Sequence, residues 1–186
     1  MTVHKKWKTT KIQEVYDGSP YLTVELHQVQ LPDGTIAKDY HRIKAGSFAS
    51  IVPVTEEKDF YFLRQYRYGA DRVGLALPGG RVEEHEVMEL AAARELKEET
   101  GLVAQELEPL GEYVTSCTYY LSQSVFFLGQ NTKLARNHDP STNDDIETSE
   151  LVKMDKEQVL SAIKENQFVS LGHLTGVMLA LRYLDL

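Results

Sequence analysis

The sequence predicts an α+β protein, with a small antiparallel β part at the N-terminus followed by a mixed sheet covered by helices. Three observations predict it. A partly alternating run at residues 21–31 meets the turn Pro32-Asp33-Gly34-Thr35 and a return strand at 36–43. Short apolar runs rich in β-branched residues, at 47–54 and 60–65, read as core strands. Helical patterns close the chain, at 155–164 behind an Asp cap and at 171–184.

Taken in order, residues 7–45 read as β structure. In the 32–35 turn, proline fixes φ and glycine supplies φ > 0. Lys44-Ala45-Gly46 forms a joint, dividing the chain into 1–45 and 46–186. Beyond it, a charged turn at 55–59 links the two core strands, and the second runs into Arg64-Gln65-Tyr66-Arg67. A strand at 73–77 leads to Pro78-Gly79-Gly80, a tight turn whose backbone can approach a ligand closely. A helix follows and stops at Gly101, where a left-handed cap is expected. Strands are expected at 107–113 and 124–128, flanking residues 114–122. A polar loop, 130–145, is long enough to be functional or disordered. It ends in Asp144-Asp145-Ile146-Glu147, before a strand at 148–154. His173, on the last helix, reads as structural. No internal repeat or low-complexity tract interrupts the chain.

Composition narrows the function. A chain of 186 residues, 42% hydrophobic and 26% charged, fits one domain with a sizeable core. Its net charge of −8 argues against nucleic acid or an anionic membrane as main partner, since both require basic patches. Cys117 is the only cysteine, so no intrachain disulfide can form, and a cytoplasmic setting fits. Residues 1–13 lack the apolar core of a signal peptide. The apolar tail, 169–186, carries His173 and Arg182 and is short for a membrane span.

The chemistry concentrates on the helix ending at Gly101. Glu95, Glu98 and Glu99 are spaced i, i+3, i+4, which puts them on one face within an arc of about 100°. Like charges so placed repel by roughly 0.2–0.5 kcal/mol per pair. A hard divalent cation would compensate, because Mg²⁺ takes oxygen ligands and is commonly shared between one or two carboxylates and a substrate's phosphates. Ala91 and Ala92, one turn earlier, are expected to leave a low surface beside the carboxylates. Arg94 lies four residues before Glu98 and can orient it.

This stretch resembles the signature of the Nudix hydrolases, G-x5-E-x7-R-E-U-x-E-E-x-G-U with U aliphatic. It reads Gly80, Glu86, Arg94, Glu95, Leu96, Glu98, Glu99, Gly101, Leu102, with no departure. The resemblance implies a Nudix-type α/β/α sandwich with a mixed sheet. It implies hydrolysis of a nucleoside diphosphate linked to another group, with Mg²⁺ or Mn²⁺ as cofactor and more than one ion per site. By the same resemblance Glu95, Glu98 and Glu99 bind metal, Gly79 offers its carbonyl, and Glu86 pairs with Arg94. In the branch acting on ADP-ribose and related nucleotide sugars, an N-terminal β subdomain helps make a homodimer, and residues 1–45 match that description. Arg67 matches an arginine that points at the substrate phosphates, and Tyr21 is a candidate for holding the base. An acidic loop in that branch brings the glutamate that deprotonates water. Glu147 is expected in that role with Asp145 the alternate; Glu95 or Glu98 would take it if the loop does not close.

Two departures bear on the substrate. The branch usually has Glu where this chain has Ala76, and a small residue where it has Gly79. The proline common downstream of the signature in the ADP-ribose branch is absent. Tyr119 and Tyr120 fall near the tyrosine of dinucleoside polyphosphate hydrolases. The expected activity is hydrolysis of a nucleoside diphosphate sugar, ADP-ribose or similar, to a nucleoside monophosphate and a sugar phosphate. A dinucleoside polyphosphate hydrolase and a non-catalytic nucleotide sensor are the alternatives.

Overall fold

The computed structural model describes residues 5–120, 122–135 and 149–186. The chain forms two compact units, residues 1–47 with 114–123 and residues 48–113 with 124–186. Segment 114–123, left with the second part by the division at 45/46, is gathered into the first. Among the described residues, no helix is long and apolar enough to cross a membrane.

The first unit is built on three antiparallel strands, β1 (Lys8–Gly18), β2 (Leu22–Gln30) and β3 (Ile36–Ala45), in spatial order β1-β2-β3. The β2–β3 turn works as its residues predict. Gly34 takes φ 91° and donates to the Leu31 carbonyl at 3.0 Å. The Asp33 carboxylate accepts from the Thr35 amide at 2.9 Å, a local bond that Asp makes readily in turns. Strand β2 alternates strictly enough to bury Glu25, His27 and Val29 on one face.

The second unit runs β4 (Phe48–Pro53), β5 (Phe60–Arg67), β6 (Arg72–Ala76), β7 (Gly79–Arg81), α1 (Met88–Thr100), β8 (Leu102–Val103), β9 (Glu106–Val114), β10 (Gln123–Gln130), β11 (Lys133–Leu134), β12 (Ser149–Met154), α2 (Lys156–Lys164) and α3 (Leu171–Tyr183). One sheet has the order β7-β4-β10-β9, another β12-β5-β6, and β11 pairs with β8. Strands β4 and β10 are parallel, and β5 is antiparallel to both its neighbours, so the sheet content is mixed.

Alternation along β4 and β10 explains the layers. Ala49, Ile51, Val125 and Phe127 pack with Ala91, Ala92 and Leu96 of α1. Val52, Phe126 and Leu128 point the other way, toward Val159 of α2 and Val177, Ala180 and Leu181 of α3. Helices thus cover both faces, giving the α/β/α sandwich with a mixed sheet that the sequence led us to expect. The Asp155 cap is a reciprocal capping box, with the Asp155 carboxylate accepting from the Gln158 amide at 2.8 Å and the Gln158 side chain accepting from the Asp155 amide at 2.9 Å.

One expectation fails here. Ala91 and Ala92 are fully buried, so they do not form a low surface beside the glutamates. Their small side chains instead let α1 lie close on the sheet over Ala49 and Ile51.

Candidate active site

Helix α1 carries the acidic face, and two devices fix its end. Gly101 adopts φ 67°, ψ 7° and donates to the Lys97 carbonyl at 2.9 Å, the left-handed cap that stops the helix. The Thr100 hydroxyl bonds back to the Leu96 carbonyl and accepts from the Leu102 amide at 3.1 Å. Leu96 and Thr100 bury the inner stripe, which turns Glu98 outward and leaves Glu95 and Glu99 at the flank.

Arg94 organises the carboxylates. Its Nε donates to Glu86 Oε1 at 2.9 Å and its Nη2 to Glu86 Oε2 at 3.0 Å, a two-pronged pair. Its Nη1 donates to Glu95 at 2.8 Å and to Glu98 at 3.0 Å, and Nη2 also reaches the Arg81 carbonyl at 3.3 Å. Glu86 in turn accepts from the Glu83 amide at 2.9 Å. Arg94, and then that amide, hold the Glu86 carboxyl below the usual carboxylate range. Glu86, with Glu95 and Glu98 adding to it against the cost of burial, raises the Arg94 pKa further above its ordinary value.

The glycine turn meets the same face from the sheet side. Gly79 has φ 152° in its pairing with Ser50, and a Cβ there would sit 2.5 Å from the Ala49 carbonyl oxygen. The Gly79 amide donates to Glu99 at 2.8 Å. A Cβ on Gly80 would fall on the Glu95 carboxylate itself. Gly80→Ala therefore displaces Glu95. We expect at least a tenfold weaker divalent-cation affinity by titration calorimetry, with little change in the thermal midpoint. Unchanged affinity would remove Glu95 from the ligand set.

The carboxylates suit a hard cation by chemistry, being oxygen donors beside a backbone turn. Among the described residues, no three carboxylate, imidazole or thiol groups close on one point. Glu95 and Glu98 reach Arg94, and Glu99 reaches Gly79.

Arg67 ends β5 in the same unit. The Gln65 amide, with its oxygen turned toward Arg67, accepts from Nε at 2.9 Å and from Nη2. Gln65 is buried, and its position two residues earlier puts it on the same strand face. Sequence reading passed over Gln65, although period-two spacing from Arg67 was the available signal. Ala76 is buried in the core. Tyr21 and Tyr119 belong to the first unit; Tyr21 is 77% exposed after the β1–β2 turn, and the Tyr119 carbonyl accepts from the Ile43 amide at 2.9 Å. Asp145 and Glu147, the expected bases, lie outside the described residues.

His173, near the start of α3, has a buried Nδ1 with no hydrogen-bond partner. Burial first, and then the Arg67 charge, push its pKa down to about 4, against a backbone hydrogen bond with Leu75. A histidine neutral in the fold but near 6.5 when unfolded binds more protons unfolded between those values. Its contribution is therefore complete above pH 6.5 and is lost as pH falls toward 4, up to about 3 kcal/mol. Urea unfolding at pH 4.5 and 7.5 should show a smaller acid loss for His173→Gln than for the parent. Equal losses would place the acid sensitivity elsewhere.

Comparison with known proteins agrees with this geometry. A model of the NUDIX domain matches residues 47–170, and a model of the nucleoside diphosphate sugar hydrolase N-terminal domain matches residues 7–43. The chain is 25% identical over 179 residues to the methanol dehydrogenase activator of Bacillus methanolicus, covering 96% of this chain and 92% of that one. It is 29% identical over 109 residues to the ADP-ribose pyrophosphatase of Bacillus subtilis, covering 59% of this chain and 58% of that one. It is 27% identical over 169 residues to a CMP-5'-(N-acetyl-N-hydroxy-3-aminopropyl)phosphonate hydrolase of Streptomyces rubellomurinus, covering 91% and 80%. A crystal structure of an ADP compounds hydrolase superimposes with a TM-score of 0.83 at 20% identity, covering 100% of this chain and 97% of that one, which shows a shared fold.

Proposed function

Because this chain belongs to the Nudix family of hydrolases, whose members generally use divalent cations, we propose that it hydrolyses the diphosphate linkage of a nucleoside diphosphate sugar, ADP-ribose or similar. The products are a nucleoside monophosphate and a sugar phosphate. The observation that carries the reading is the α1 face, where Arg94 and the Gly79 amide gather three glutamates. The N-terminal match to nucleoside diphosphate sugar hydrolases, together with the ADP-ribose pyrophosphatase and ADP compounds hydrolase among its relatives, supports the substrate class.

In this reading Glu95, Glu98, Glu99 and the Gly79 carbonyl hold Mg²⁺ or Mn²⁺, more than one ion per site. When bound, the cation neutralises charge growing on the phosphoryl oxygens and lowers the pKa of the attacking water. Arg94 keeps Glu95 and Glu98 oriented. Gln65 sets the plane of the Arg67 guanidinium, which donates to a substrate phosphate. Glu147 takes the proton from water, with Asp145 or Glu98 as alternates. Residues 1–45 serve assembly into a homodimer, residues 46–186 carry catalysis, and Tyr21 of the first part and Tyr119 of the second are the candidates for holding the base. A cytoplasmic setting completes the proposal.

The test is a product assay with Mg²⁺ on ADP-ribose, ADP-glucose, GDP-mannose, a diadenosine polyphosphate and NADH. Chelator-sensitive release of nucleoside monophosphate from a nucleotide sugar is expected. Cleavage of the dinucleotide alone would replace the nucleotide-sugar reading. Tight nucleotide binding without any cleavage would make the protein a sensor. Sedimentation giving a monomer would withdraw the homodimer.

A further inference from the structure

The hydrolytic reading leaves His173 without a task, although its Nδ1 is buried and has no hydrogen-bond partner among the described residues. Leaving a buried polar atom unpaired destabilises a fold. Such an atom is explained where its partner arrives only in another state of the protein.

Strand register shows which partner is near. Across β5 and β6, Gln65 stands opposite Gly74, Arg67 opposite Arg72 and Arg64 opposite Leu75. Gln65 and Arg67 therefore share the face on which Gly74 has no side chain. A Cβ at Gly74 would collide with the Val169 side chain and the Gln167 carbonyl. No β6 side chain thus stands between Gln65 and the segment leading into α3. That segment follows the outer edge of β6, where the Leu75 amide donates to the Gln167 carbonyl at 2.8 Å and Leu75 bridges Phe168 in parallel. His173 follows in the first turn of α3. The glycine gap brings that turn near enough to the end of β5 for the Arg67 charge to act on the imidazole.

The tautomer follows from the same edge. The amide and carbonyl of a residue in an antiparallel pair point the same way, so the Leu75 carbonyl also faces outward. The imidazole hydrogen-bonds the Leu75 backbone. The Leu75 amide is already engaged with Gln167, so the carbonyl accepts and the ring donates. With Nδ1 unpartnered, the donor is Nε2. Burial keeps the ring neutral, which leaves a lone pair on Nδ1. Arg67 meanwhile donates from Nε and Nη2 to the single Gln65 amide oxygen. A diphosphate competes for that fork with several charged oxygens, and charge-assisted hydrogen bonds are the stronger ones.

We propose that His173 is a positioning residue for Arg67 during substrate binding: as the guanidinium turns from Gln65 toward the diphosphate, His173 Nδ1 accepts one of its N–H groups and holds the new pose. Gln65 sets the plane before the substrate arrives, and His173 holds it afterwards. An uncharged acceptor suits this task, because it fixes the guanidinium and leaves its charge to the phosphates. The proposal rests on the reading of Arg67 as a phosphate-binding residue.

The test uses inorganic pyrophosphate with Mg²⁺ on the full chain, a diphosphate that carries no base, sugar or nitrogen. The ¹⁵N resonance of His173 Nδ1, assigned by its loss in His173→Asn, is followed near neutral pH. Saturation with pyrophosphate should move it in the direction of an accepted hydrogen bond, and Arg67→Met should abolish that movement. Titration calorimetry adds a rescue. His173→Leu should weaken pyrophosphate binding about fivefold, the size of one hydrogen bond. His173→Asn, whose side-chain oxygen takes the place of Nδ1, should bind close to the parent. His173→Gln, which reaches the place of Nε2 instead, should behave as His173→Leu does. Should these variants misfold, the resonance in the parent protein still decides. An Nδ1 resonance that pyrophosphate leaves unmoved, as a resident water would, overturns the proposal. So does one that moves to the imidazolium position, which would mean proton uptake, and so does parental affinity in His173→Leu. Parental affinity in Arg67→Met, or no binding by the parent, overturns the proposal together with the Arg67 reading. Failure to hydrolyse nucleotide sugars with these pyrophosphate results intact would defeat only the enzymatic reading.

Discussion

Glu98→Gln should lower turnover about a thousandfold while leaving the protein as stable as before, within the 10²–10⁴ range expected for a group acting on the reacting centre. The amide keeps the shape of the carboxylate and removes its charge. The Glu98 side chain is 59% exposed and accepts from Arg94 Nη1 at 3.0 Å, so no core contact is lost. An exposed pair of this kind contributes roughly 0–1 kcal/mol. Against that, removing the charge relieves repulsion with Glu95 three residues earlier, worth roughly 0.2–0.5 kcal/mol. The two nearly cancel, so the thermal midpoint should move by no more than a degree or two, while turnover collapses. A solvated acidic face without function would give the same stability and full turnover. Measuring kcat and the midpoint on one preparation separates the two.

That prediction rests on residues legible in the sequence: helical spacing puts the three glutamates on one face, and the resemblance of the stretch to the Nudix signature implies their role. The cap at Gly101, the Asp155 cap and the 32–35 turn were equally legible, since each depends on a few adjacent residues. What escaped depends on contacts between distant parts of the chain. Ala91 and Ala92 could have been a low surface or a tight packing stripe; only the arrival of Ala49 and Ile51 from β4 decides for packing. Gly79 could be recognised as a close-approach residue, but not that its amide would donate to Glu99. Segment 114–123 looked like a connector between two strands, and no local pattern announces that it covers the sheet of the first unit. Gln65 sat in plain view beside Arg67, and its role needed the strand's alternation to be applied to a polar pair.

Arg94→Lys separates structure from charge at the same site. The substitution keeps a cation and loses the planar fork. Arg94 uses Nε and Nη2 on Glu86, Nη1 on both Glu95 and Glu98, and Nη2 again on the Arg81 carbonyl. A lysine ammonium has three donors at one point and cannot span Glu86 and Glu95 together. Glu86, mostly buried and held ionised by Arg94, would keep its charge with a poorer partner. The expected cost is about 1–3 kcal/mol of stability, in the range for leaving a partly buried polar group poorly satisfied. Activity should fall about a hundredfold, because Glu95 and Glu98 lose their common anchor, an effect of the size seen when outer partners of metal ligands are removed. Unlike Glu98→Gln, this variant moves both readouts. Its partner change, Glu86→Gln, should cost less alone and almost nothing in the Arg94→Lys background, because the two residues act as one fork. Full additivity in that double-mutant cycle would show that Arg94 works through Glu95 and Glu98 alone, and that Glu86 has no part in positioning the acidic face.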